Sequence, residues 1–407
     1  MNKKLALFTL ALIALAACRH PEVEITDFDT FKVLSVNTSD VFMPDGSLNP
    51  EISLMEDYGE DLGTKVAATS AMALVRDVAG VVNSNRLIHI AGTYTGHDID
   101  GSPLTLSGKL LIPASGEIKN LILVSHYTIG ANYESPSNTF PLEGMLAAKG
   151  YAVAVADYIG FGVTAGRVHP YMHTESTARS VVDFGLAVVP YLEHIGRKPE
   201  SEKVILFGYS QGGATTMAVM DIIQDECCGK LPIKIVYAGG GPYDLAATFD
   251  VSMQQGLTGI PCAIPMIVQG VNVGERLGLD MADFFEGSLL ENYDEWINSK
   301  KYSVKEINLK IGSNDLREIM TEQGRDKTNK ETARLYGALL ANSTLNFTPF
   351  SPIYLFHSRE DKTVPFINSV HAEAYFKGRD MRIDFGDYGS HGMGCLRFIM
   401  TVYKDLP

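Results

Sequence analysis

Ser210 lies in a Gly-x-Ser-x-Gly pentapeptide, residues 208–212, whose surroundings favour a chemical role for the serine. The β-branched and aromatic run at 204–207 predicts a strand before it, and residues 214–223 are apolar at helical spacing. In a sharp strand–turn–helix, neighbouring glycines let strand and helix approach closely while the serine Oγ stands clear. The pattern therefore predicts a nucleophilic serine, with an idle serine in a plain turn as the alternative.

A serine hydroxyl becomes a good nucleophile only beside a base, and the base needs an acid to orient it. Both candidates come later in the chain, in the order acid and then histidine that this motif requires. Asp361 follows a buried strand predicted at 352–356, and His391 lies between glycines in the segment 387–392. We expect His391 to occupy an exposed, mobile loop between the last strand and the last helix.

Other residues compete for these two roles. Glu360 adjoins Asp361, and Asp244 follows the preceding predicted strand, so each is an alternative acid. Asp361 would also suit an Asx turn or the cap of a helix that opens near Pro365. Three further histidines, predicted to be surface or structural residues, are His169, His173 and His371.

Acyl transfer through a serine also requires hydrogen-bond donors for the negative oxygen that develops on the carbonyl group. The backbone N–H of Gln211, at the start of the helix after the nucleophile, is one predicted donor. Thr128, in the segment after the apolar run 121–125, is the second and offers a backbone N–H and a hydroxyl. Tyr127 is the neighbouring alternative.

The elements that position these residues alternate along the chain. Continuous apolar runs predict strands buried on both faces, and segments with apolar residues at helical spacing lie between them. This alternation predicts a mostly parallel central sheet with right-handed crossovers and helices on both faces, preceded by an antiparallel pair. The predicted strands are 87–94, 104–112, 121–125, 151–156, 204–207, 233–241, 352–356 and 381–385, and the other predicted helices of this part are 141–149, 176–194 and 393–403.

Residues 245–349 interrupt this alternation. The stretch is rich in Met, Leu and Phe and contains short helical patterns, and it is too long for one structureless loop. We predict a mostly helical cap over the C-terminal edge of the sheet, with a helical appendage elsewhere as the alternative. The predicted core then consists of residues 86–244 and 350–407. Residues 18–85 are predicted to be a tether and a covering segment, with a helix at 65–82.

The first residues resemble an export signal. Two lysines precede a short apolar run, 5–15, which is too short for a membrane span. Leu-Ala-Ala-Cys at 15–18 resembles a bacterial lipobox, in which the cysteine is lipidated. The resemblance implies a signal peptide at 1–17 and an exported protein anchored to a membrane through Cys18, and Arg19 favours the outer membrane. Ordinary secretory cleavage with an idle cysteine is the alternative.

The composition limits the remaining possibilities. With a net charge of −14 and no basic stripe, the chain is not expected to bind nucleic acid. The four cysteines beyond Cys18 fit no zinc spacing, and no metal or organic cofactor is implied. Because an exported protein meets an oxidising compartment, we consider a disulfide from Cys227 or Cys228 to Cys262. The fourth of these cysteines is Cys395.

From residue 87 onward the chain resembles an α/β-hydrolase, and within that superfamily it is similar to the secretory lipases of the lipase A type. The resemblance rests on the elbow 208–213, the segment 156–162, the helix 176–194, the loops of Asp361 and His391, and the helical insertion before the acid-bearing strand. It implies the α/β-hydrolase fold. Relatives of this type can carry an aspartate where this chain has Thr128.

The resemblance and the candidate residues together imply a serine hydrolase that cleaves carboxylic esters through Ser210, His391 and Asp361 and an acyl-enzyme. Its substrate would be a small-molecule or lipid ester, and the Met- and Phe-rich cap would shape an apolar acyl pocket. A serine exopeptidase and an esterase acting on acylated polysaccharide stay open, because the elbow is common to all three. A non-catalytic binding protein on the same scaffold is the alternative from another class.

Overall fold

The computed structural model describes residues 25–53 and 82–407, and a nine-stranded sheet forms its centre. The predicted signal peptide, Cys18 and almost all of the predicted helix 65–82 lie outside the described residues. In chain order the strands are β1 Lys32–Asp40, β2 Ile52–Ser53, β3 Arg86–His97, β4 Pro103–Pro113, β5 Leu121–Ser125, β6 Phe140–Pro141, β7 Ala152–Ala156, β8 Val204–Tyr209, β9 Ile233–Gly239, β10 Ile353–Ser358 and β11 Met381–Gly386. Strands β2 and β6 form a separate pair.

Helices connect most of these strands. The α-helices are α1 Thr174–His194, α2 Gln211–Ile222, α3 Leu245–Gln255, α4 Ala263–Gly274, α5 Gly287–Glu291, α6 Val304–Ile311, α7 Leu316–Ile319, α8 Glu322–Arg325, α9 Lys330–Ala341, α10 Ile367–Tyr375 and α11 His391–Asp405. Shorter turns of 3₁₀-helix are Asn132–Glu134, Leu142–Lys149, Gly162–Thr164 and Met281–Asp283, and π-turns are Ile223–Cys227 and Asp294–Asn298. The segment predicted as a helix at 141–149 is therefore 3₁₀-helical.

The sheet has the order β1-β3-β4-β7-β5-β8-β9-β10-β11. Its first four strands pair antiparallel, and every pairing from β7 to β11 is parallel. The predicted mostly parallel α/β-hydrolase sheet is thus confirmed. Because parallel strands end at a common edge, the residues that follow β5, β8, β10 and β11 all lie at one edge of the sheet.

Side chains of the central strands enter two cores, one on each face. In β5, Leu121 and Leu123 belong to the core that α1 and α2 cover. Ile122 and Val124 belong to the opposite core, which contains residues of α11 and of the 3₁₀-helix Leu142–Lys149. Strands of this kind need apolar side chains on both faces, which explains their continuous apolar sequence.

The sheet reaches further toward the N-terminus than the sequence predicts. Strand β1 pairs antiparallel with β3, from Lys32 opposite Thr93 to Asp40 opposite Arg86. Most of its side chains are exposed. An edge strand with few buried side chains needs no apolar periodicity, so this part of the segment predicted as a tether and covering element gave no strand signal.

All helices from α3 to α9 lie between β9 and β10, in the stretch predicted to be a helical insertion. A Cβ on Gly270 of α4 would lie 2.2 Å from the backbone nitrogen of Tyr171. A Cβ on Gly259 would lie 2.8 Å from the carbonyl oxygen of Lys362. The insertion is therefore in backbone contact with the segments that follow β7 and β10, at the edge where those strands end.

The four described cysteines are free thiols. Cys262 is fully buried at the start of α4, whereas Cys228 is exposed at the end of a π-turn. The disulfide considered between Cys262 and Cys227 or Cys228 is therefore wrong, because all three thiols are free. Across residues 25–53 and 82–407, no helix combines the length and the apolar character that crossing a bilayer demands.

Candidate active site

The turn at Ser210 joins β8 directly to α2. Ser210 has φ 59° and ψ −127°, a backbone conformation that residues other than glycine rarely adopt. A Cβ on Gly208 would lie 2.1 Å from Gly212 O, and a Cβ on Gly212 would lie 2.0 Å from Ser125 O. Only glycine fits at both flanking positions, so the pentapeptide is what the close packing of strand, helix and β5 requires.

The structure brings the three residues predicted to act together into one hydrogen-bonded chain. His391 Nε2 lies 2.8 Å from Ser210 Oγ, and His391 Nδ1 lies 2.5 Å from Asp361 Oδ2. Ser210 is 5% exposed, Asp361 7% and His391 1%. Each residue follows a different parallel strand, so the common edge of the sheet assembles residues that are far apart in sequence.

Asp361 is held by the backbone as well as by histidine. Its Oδ1 accepts hydrogen bonds from the backbone N–H groups of Thr363 and Val364, at 2.8 and 2.9 Å. Asp361 thus also forms the Asx turn that was its alternative role: Oδ1 accepts the hydrogen bonds of the turn, and Oδ2 faces His391. Such a turn fixes the plane of the carboxylate, so the carboxylate does not have to move when His391 gains a proton.

The electrostatics of this group favour a charged acid. Burial acts to raise the pKa of the Asp361 carboxyl, but the adjoining His391 and His357 outweigh it and hold the pKa well below its usual range. Asp361 is therefore ionised at neutral pH. An ionised acceptor at Nδ1 keeps the proton of a neutral His391 on that nitrogen, which leaves Nε2 to accept from the serine hydroxyl.

His391 differs from the sequence expectation in its setting. It is the first residue of α11 and is buried, whereas an exposed, mobile loop was expected. Tyr209 OH donates to His391 O at 2.8 Å, and Ser390 caps the helix through Met393 N. Gly389, before the helix, has φ 80°, and a Cβ on Gly394, within it, would lie 2.6 Å from Tyr209 OH. The imidazole is thus buried and hydrogen-bonded through both ring nitrogens.

A second histidine, which no sequence motif singled out, contacts the same acid. His357 Nε2 lies 3.2 Å from Asp361 Oδ2, and its Nδ1 lies 2.7 Å from Ser369 Oγ. His357 is completely buried. Strand β10 continues to Ser358, two residues beyond the predicted strand, so His357 is a strand residue. A histidine inside an apolar run, four residues before the acid, was the available signal.

The competing acids do not approach His391. Glu360 Oε2 accepts from Gly389 N at 2.8 Å, and Asp244 Oδ2 lies 2.8 Å from His371 Nδ1 while its Oδ1 caps α3. Among the other histidines, His173 Nδ1 bonds to Ser176 Oγ, and His169 is buried beside the nucleophile helix.

The residues predicted to stabilise an oxyanion follow β8 and β5, at the same edge of the sheet. Gln211 opens α2, so its backbone N–H has no partner within the helix. Thr128 is buried in the segment after β5, and its Oγ1 lies 2.6 Å from Tyr171 OH. Tyr127, the neighbouring alternative, directs its hydroxyl away, toward Ser53 O at 3.2 Å.

His169 supports the same region. Its Nδ1 donates to Ile159 O at 2.6 Å, so its Nε2 is the acceptor for the Gln211 side-chain amide at 3.3 Å. Burial lowers the pKa of His169 to about 3, so the ring is neutral.

Within the described part of the chain, no three or more His, Cys, Asp or Glu side chains are grouped so as to hold a metal ion.

The sheet order, the nucleophile elbow and the edge at which the acid and base meet define an α/β-hydrolase. Residues 136–393 match the family described as secretory lipase. The chain belongs to this family and is a carboxylic-ester hydrolase. The search of curated proteins returned no significant match.

Solved structures share the fold. The rice cell wall degrading esterase LipA from Xanthomonas oryzae superposes with a TM-score of 0.74 at 23% identity, over 92% of this chain and 97% of that one. Lipase A from Candida antarctica superposes with a TM-score of 0.55 at 16% identity, over 77% of this chain and 75% of that one. At these identities the likeness establishes the architecture.

Proposed function

We propose that this enzyme is an exported, membrane-anchored serine hydrolase that cleaves carboxylic esters through Ser210, His391 and Asp361. The observation that carries the proposal is the hydrogen-bonded chain from Ser210 Oγ through His391 to Asp361, set at a strand–turn–helix elbow. Membership of the secretory lipase family supports the same reaction.

In the first half of the reaction, Ser210 Oγ attacks the ester carbonyl carbon while His391 Nε2 takes the hydroxyl proton. Asp361 stabilises the imidazolium that forms, and its low pKa keeps the carboxylate from taking the proton itself. His391 then gives the proton to the leaving alcohol, and an acyl-enzyme remains. Water, activated by the same histidine, attacks the acyl carbon and regenerates Ser210.

The negative charge that develops on the carbonyl oxygen needs donors that are already in place. The backbone N–H of Gln211 and Thr128 are the proposed donors. Gln211 is positioned by the elbow, and Thr128 is held by its contact with Tyr171. Removing one such donor typically lowers kcat by about 10²- to 10³-fold.

The helical insertion at 245–349 is the proposed cap over this site. Its backbone touches the segments after β7 and β10, at the edge that bears the proposed catalytic residues, and this contact supports the proposal. The cap would cover the ester and exclude water while the acyl-enzyme forms.

We also propose export, with residues 1–17 removed and Cys18 lipidated at the outer membrane. The lipobox-like sequence 15–18 and the family's secretory character support this location. Metabolic labelling with palmitate tests it directly: label in the wild-type protein that Cys18→Ser abolishes is the expected result, and unlabelled, freely released protein would contradict it.

A polysaccharide esterase is the second candidate. It is favoured by the likeness, over nearly the full length of both chains, to a structure described as a rice cell wall degrading esterase. The same triad would then remove acetyl or feruloyl groups from a sugar chain. The reaction is unchanged, and only the alcohol and the acyl group differ.

The experiment is hydrolysis of p-nitrophenyl esters from acetyl to palmitoyl, with acetylated and feruloylated xylan alongside, by wild type and Ser210→Ala. Covalent labelling by a fluorophosphonate gives the concentration of active serine. We expect wild-type hydrolysis, and a loss of at least about 10⁴-fold in the variant.

The outcomes separate the candidates. A maximum at long chains supports a lipase, and a maximum at short chains together with release of acyl groups from xylan supports the polysaccharide esterase. Equal rates for wild type and Ser210→Ala on every ester would overturn the proposed function.

A further inference from the structure

Tyr209, the residue directly before the nucleophile, contacts the base through both its hydroxyl and its ring. The side chain is buried at the end of β8, and its hydroxyl donates to the carbonyl oxygen of His391 at 2.8 Å. Its ring centroid lies 5.0 Å from that of the imidazole. Ser210 Oγ lies 2.8 Å from His391 Nε2, so adjacent residues of the elbow hold the backbone and the ring of the same histidine.

Three glycines leave room for the Tyr209 side chain. A Cβ on Gly239, at the end of β9, would lie 2.8 Å from Tyr209 Cδ2, and a Cβ on Gly240 would lie 2.8 Å from Tyr209 Cζ. A Cβ on Gly394, in the first turn of α11, would lie 2.6 Å from the hydroxyl oxygen. Each of these distances is well below normal van der Waals contact. The end of β9 and the start of α11 are therefore both fitted to this tyrosine.

Aromatic side chains pack against the same ring. Its centroid lies 5.6 Å from that of Phe398 in α11 and 6.5 Å from that of Phe356 in β10. Strand β10 leads to the acid Asp361, and α11 begins with the base. Tyr209 therefore contacts the elements that carry the acid and the base while it directly precedes the nucleophile, and close packing restricts the movement of its hydroxyl.

The start of α11 needs an outside contact of this kind. The first four N–H groups of a helix have no partner within the helix, so the first turn is held by contacts from elsewhere. Ser390 supplies one, since its Oγ accepts from Met393 N at 3.3 Å. Ser390 belongs to the same segment as His391, however, so this cap does not tie the helix to the nucleophile. The Tyr209 hydroxyl makes that connection.

A second buried tyrosine holds the other end of α11. The hydroxyl of Tyr237, in β9, donates to Oδ2 of Asp405, the last residue of the helix, at 2.6 Å. Both tyrosines belong to the core that contains residues of α11. Asp405 is about 21 Å along the helix from His391. Tyr237 thus anchors the same helix at a distance from the base.

We propose that Tyr209 is a positioning residue, whose hydroxyl holds the backbone of His391 at the distance from Ser210 that proton transfer requires. The inference rests on the proposed function through Ser210 and His391. A displacement of about 1 Å between reacting groups can cost about 100-fold in rate. Because the hydroxyl acts on the base and not on the ester, its loss lowers the rate of the chemical steps and leaves ester binding unchanged.

The test compares Tyr209→Phe with Tyr237→Phe, the matched control. Each variant keeps the ring and removes one buried hydroxyl that holds α11. For purified full-length wild type and both variants, kcat and KM are measured on p-nitrophenyl acetate, and thermal unfolding is recorded. Fluorophosphonate labelling carried to completion gives the concentration of active serine, and its early time course gives the rate constant of labelling.

We expect Tyr209→Phe to lower kcat per labelled serine by about 10-fold and to change KM by less than about twofold. The rate constant of labelling should fall by a similar factor, because Ser210 also needs His391 as its base when it attacks phosphorus.

Tyr237→Phe should leave kcat and the rate constant of labelling within about twofold of wild type. Both variants lose a buried hydrogen bond, so the melting temperature should fall in both. A merely structural role for the Tyr209 hydroxyl would lower the melting temperature and the fraction of labelled enzyme, while kcat per labelled serine kept its wild-type value.

The failures can be told apart. Wild-type kcat per labelled serine in Tyr209→Phe, or an equal loss of kcat in the two variants, would show that the hydroxyl only anchors the helix. A higher KM at unchanged kcat would assign Tyr209 to ester binding, and in each of these cases the hydrolase stands. If wild type hydrolyses no ester faster than Ser210→Ala, the proposed function is wrong and the inference falls with it.

Discussion

His357 and His391 both reach the same oxygen of Asp361. His391 Nδ1 lies 2.5 Å from Oδ2, and His357 Nε2 lies 3.2 Å from it on another side. Ser369 Oγ, 2.7 Å from His357 Nδ1, can donate to that nitrogen and so leave the proton of a neutral ring on Nε2. With the two backbone donors at Oδ1, the buried carboxylate is surrounded by four N–H groups.

The first prediction concerns His357 as a positioning residue. His357→Phe keeps a ring of similar size but removes the donor, so Oδ2 becomes a stronger acceptor for the protonated His391. A stronger acceptor favours the charged imidazolium over the neutral ring, so the acid limb of kcat/KM should move to higher pH, with kcat lower by about 10-fold.

His357→Gln is the matched variant, because its amide can place an N–H near Asp361. It should restore most of kcat and the wild-type acid limb. A purely structural role for His357 would lower the fraction of labelled enzyme in both variants and leave the pH profile per labelled serine in place.

The second prediction distinguishes the three acids. Asp361→Asn should lower kcat by about 10⁴-fold, because an amide no longer stabilises the imidazolium and permits the wrong tautomer of His391. Glu360→Gln and Asp244→Asn should each stay within about threefold of wild type, since their carboxylates contact Gly389 and His371 instead. Steady-state kinetics on one p-nitrophenyl ester suffices, and a large loss in either control would reassign the acid.

The third prediction tests the hydroxyl of Thr128. Thr128→Val keeps the shape and the backbone N–H, so a loss of about 10- to 100-fold in kcat at constant KM would assign the hydroxyl to the oxyanion. Tyr171→Phe should have a smaller effect, because it removes only the partner at 2.6 Å. Unchanged kcat in Thr128→Val would leave the backbone N–H as the donor at this position.

The fourth prediction concerns stability. Glu143 is buried, its Oε2 has no hydrogen-bond partner among the described residues, and burial raises its pKa from 4.5 to about 7. In the unfolded chain the carboxyl ionises near the ordinary pKa of a glutamate. The free energy of unfolding therefore falls as pH rises from about 4.5 to about 7, and above pH 7 the loss is on the order of 3 kcal/mol.

Glu143→Gln should therefore match wild type in thermal unfolding near pH 4.5 and unfold several degrees higher at pH 8. The glutamine side chain is neutral in both the folded and the unfolded chain, so its stability does not depend on pH in this range. The wild-type carboxyl at pH 8 must either be kept protonated or be buried as a charge, and both lower the free energy of unfolding. Equal melting temperatures at pH 8 would show that water or a neighbour satisfies the carboxylate.

Much of the sheet could be predicted because its central strands are buried on both faces. Strands such as β5 and β8 leave a continuous apolar signature, and the glycines at 208 and 212 reflect contacts that no Cβ allows. Strand β1 could not be predicted, since its pairing is made by backbone groups while most of its side chains are exposed.

Part of the candidate site could be predicted from the sequence for a similar reason. Ser210, Asp361 and His391 follow recognisable strands and turns, so chain order alone suggested that they meet. The burial of His391 and the contact of His357 with the acid depend on packing between distant segments, which no local pattern encodes. Each of them is a relationship in space rather than a spacing in sequence.

The position of the N-terminal segment would determine which side of the enzyme lies next to an anchoring membrane. Thr26 Oγ1 lies 3.2 Å from His194 Nε2, at the C-terminal end of α1, and the Phe28 ring stacks on the same histidine. Helix α1 begins beside the insertion, where Thr174 bonds to Asn342, so His194 lies at the end of the molecule remote from Ser210.

If Cys18 carries acyl chains, the eight peptide units to Thr26 span at most about 30 Å. The bilayer is then held near the end of the sheet opposite the catalytic edge. The catalytic edge of the sheet would then face away from the anchoring membrane, toward esters that arrive from the aqueous side.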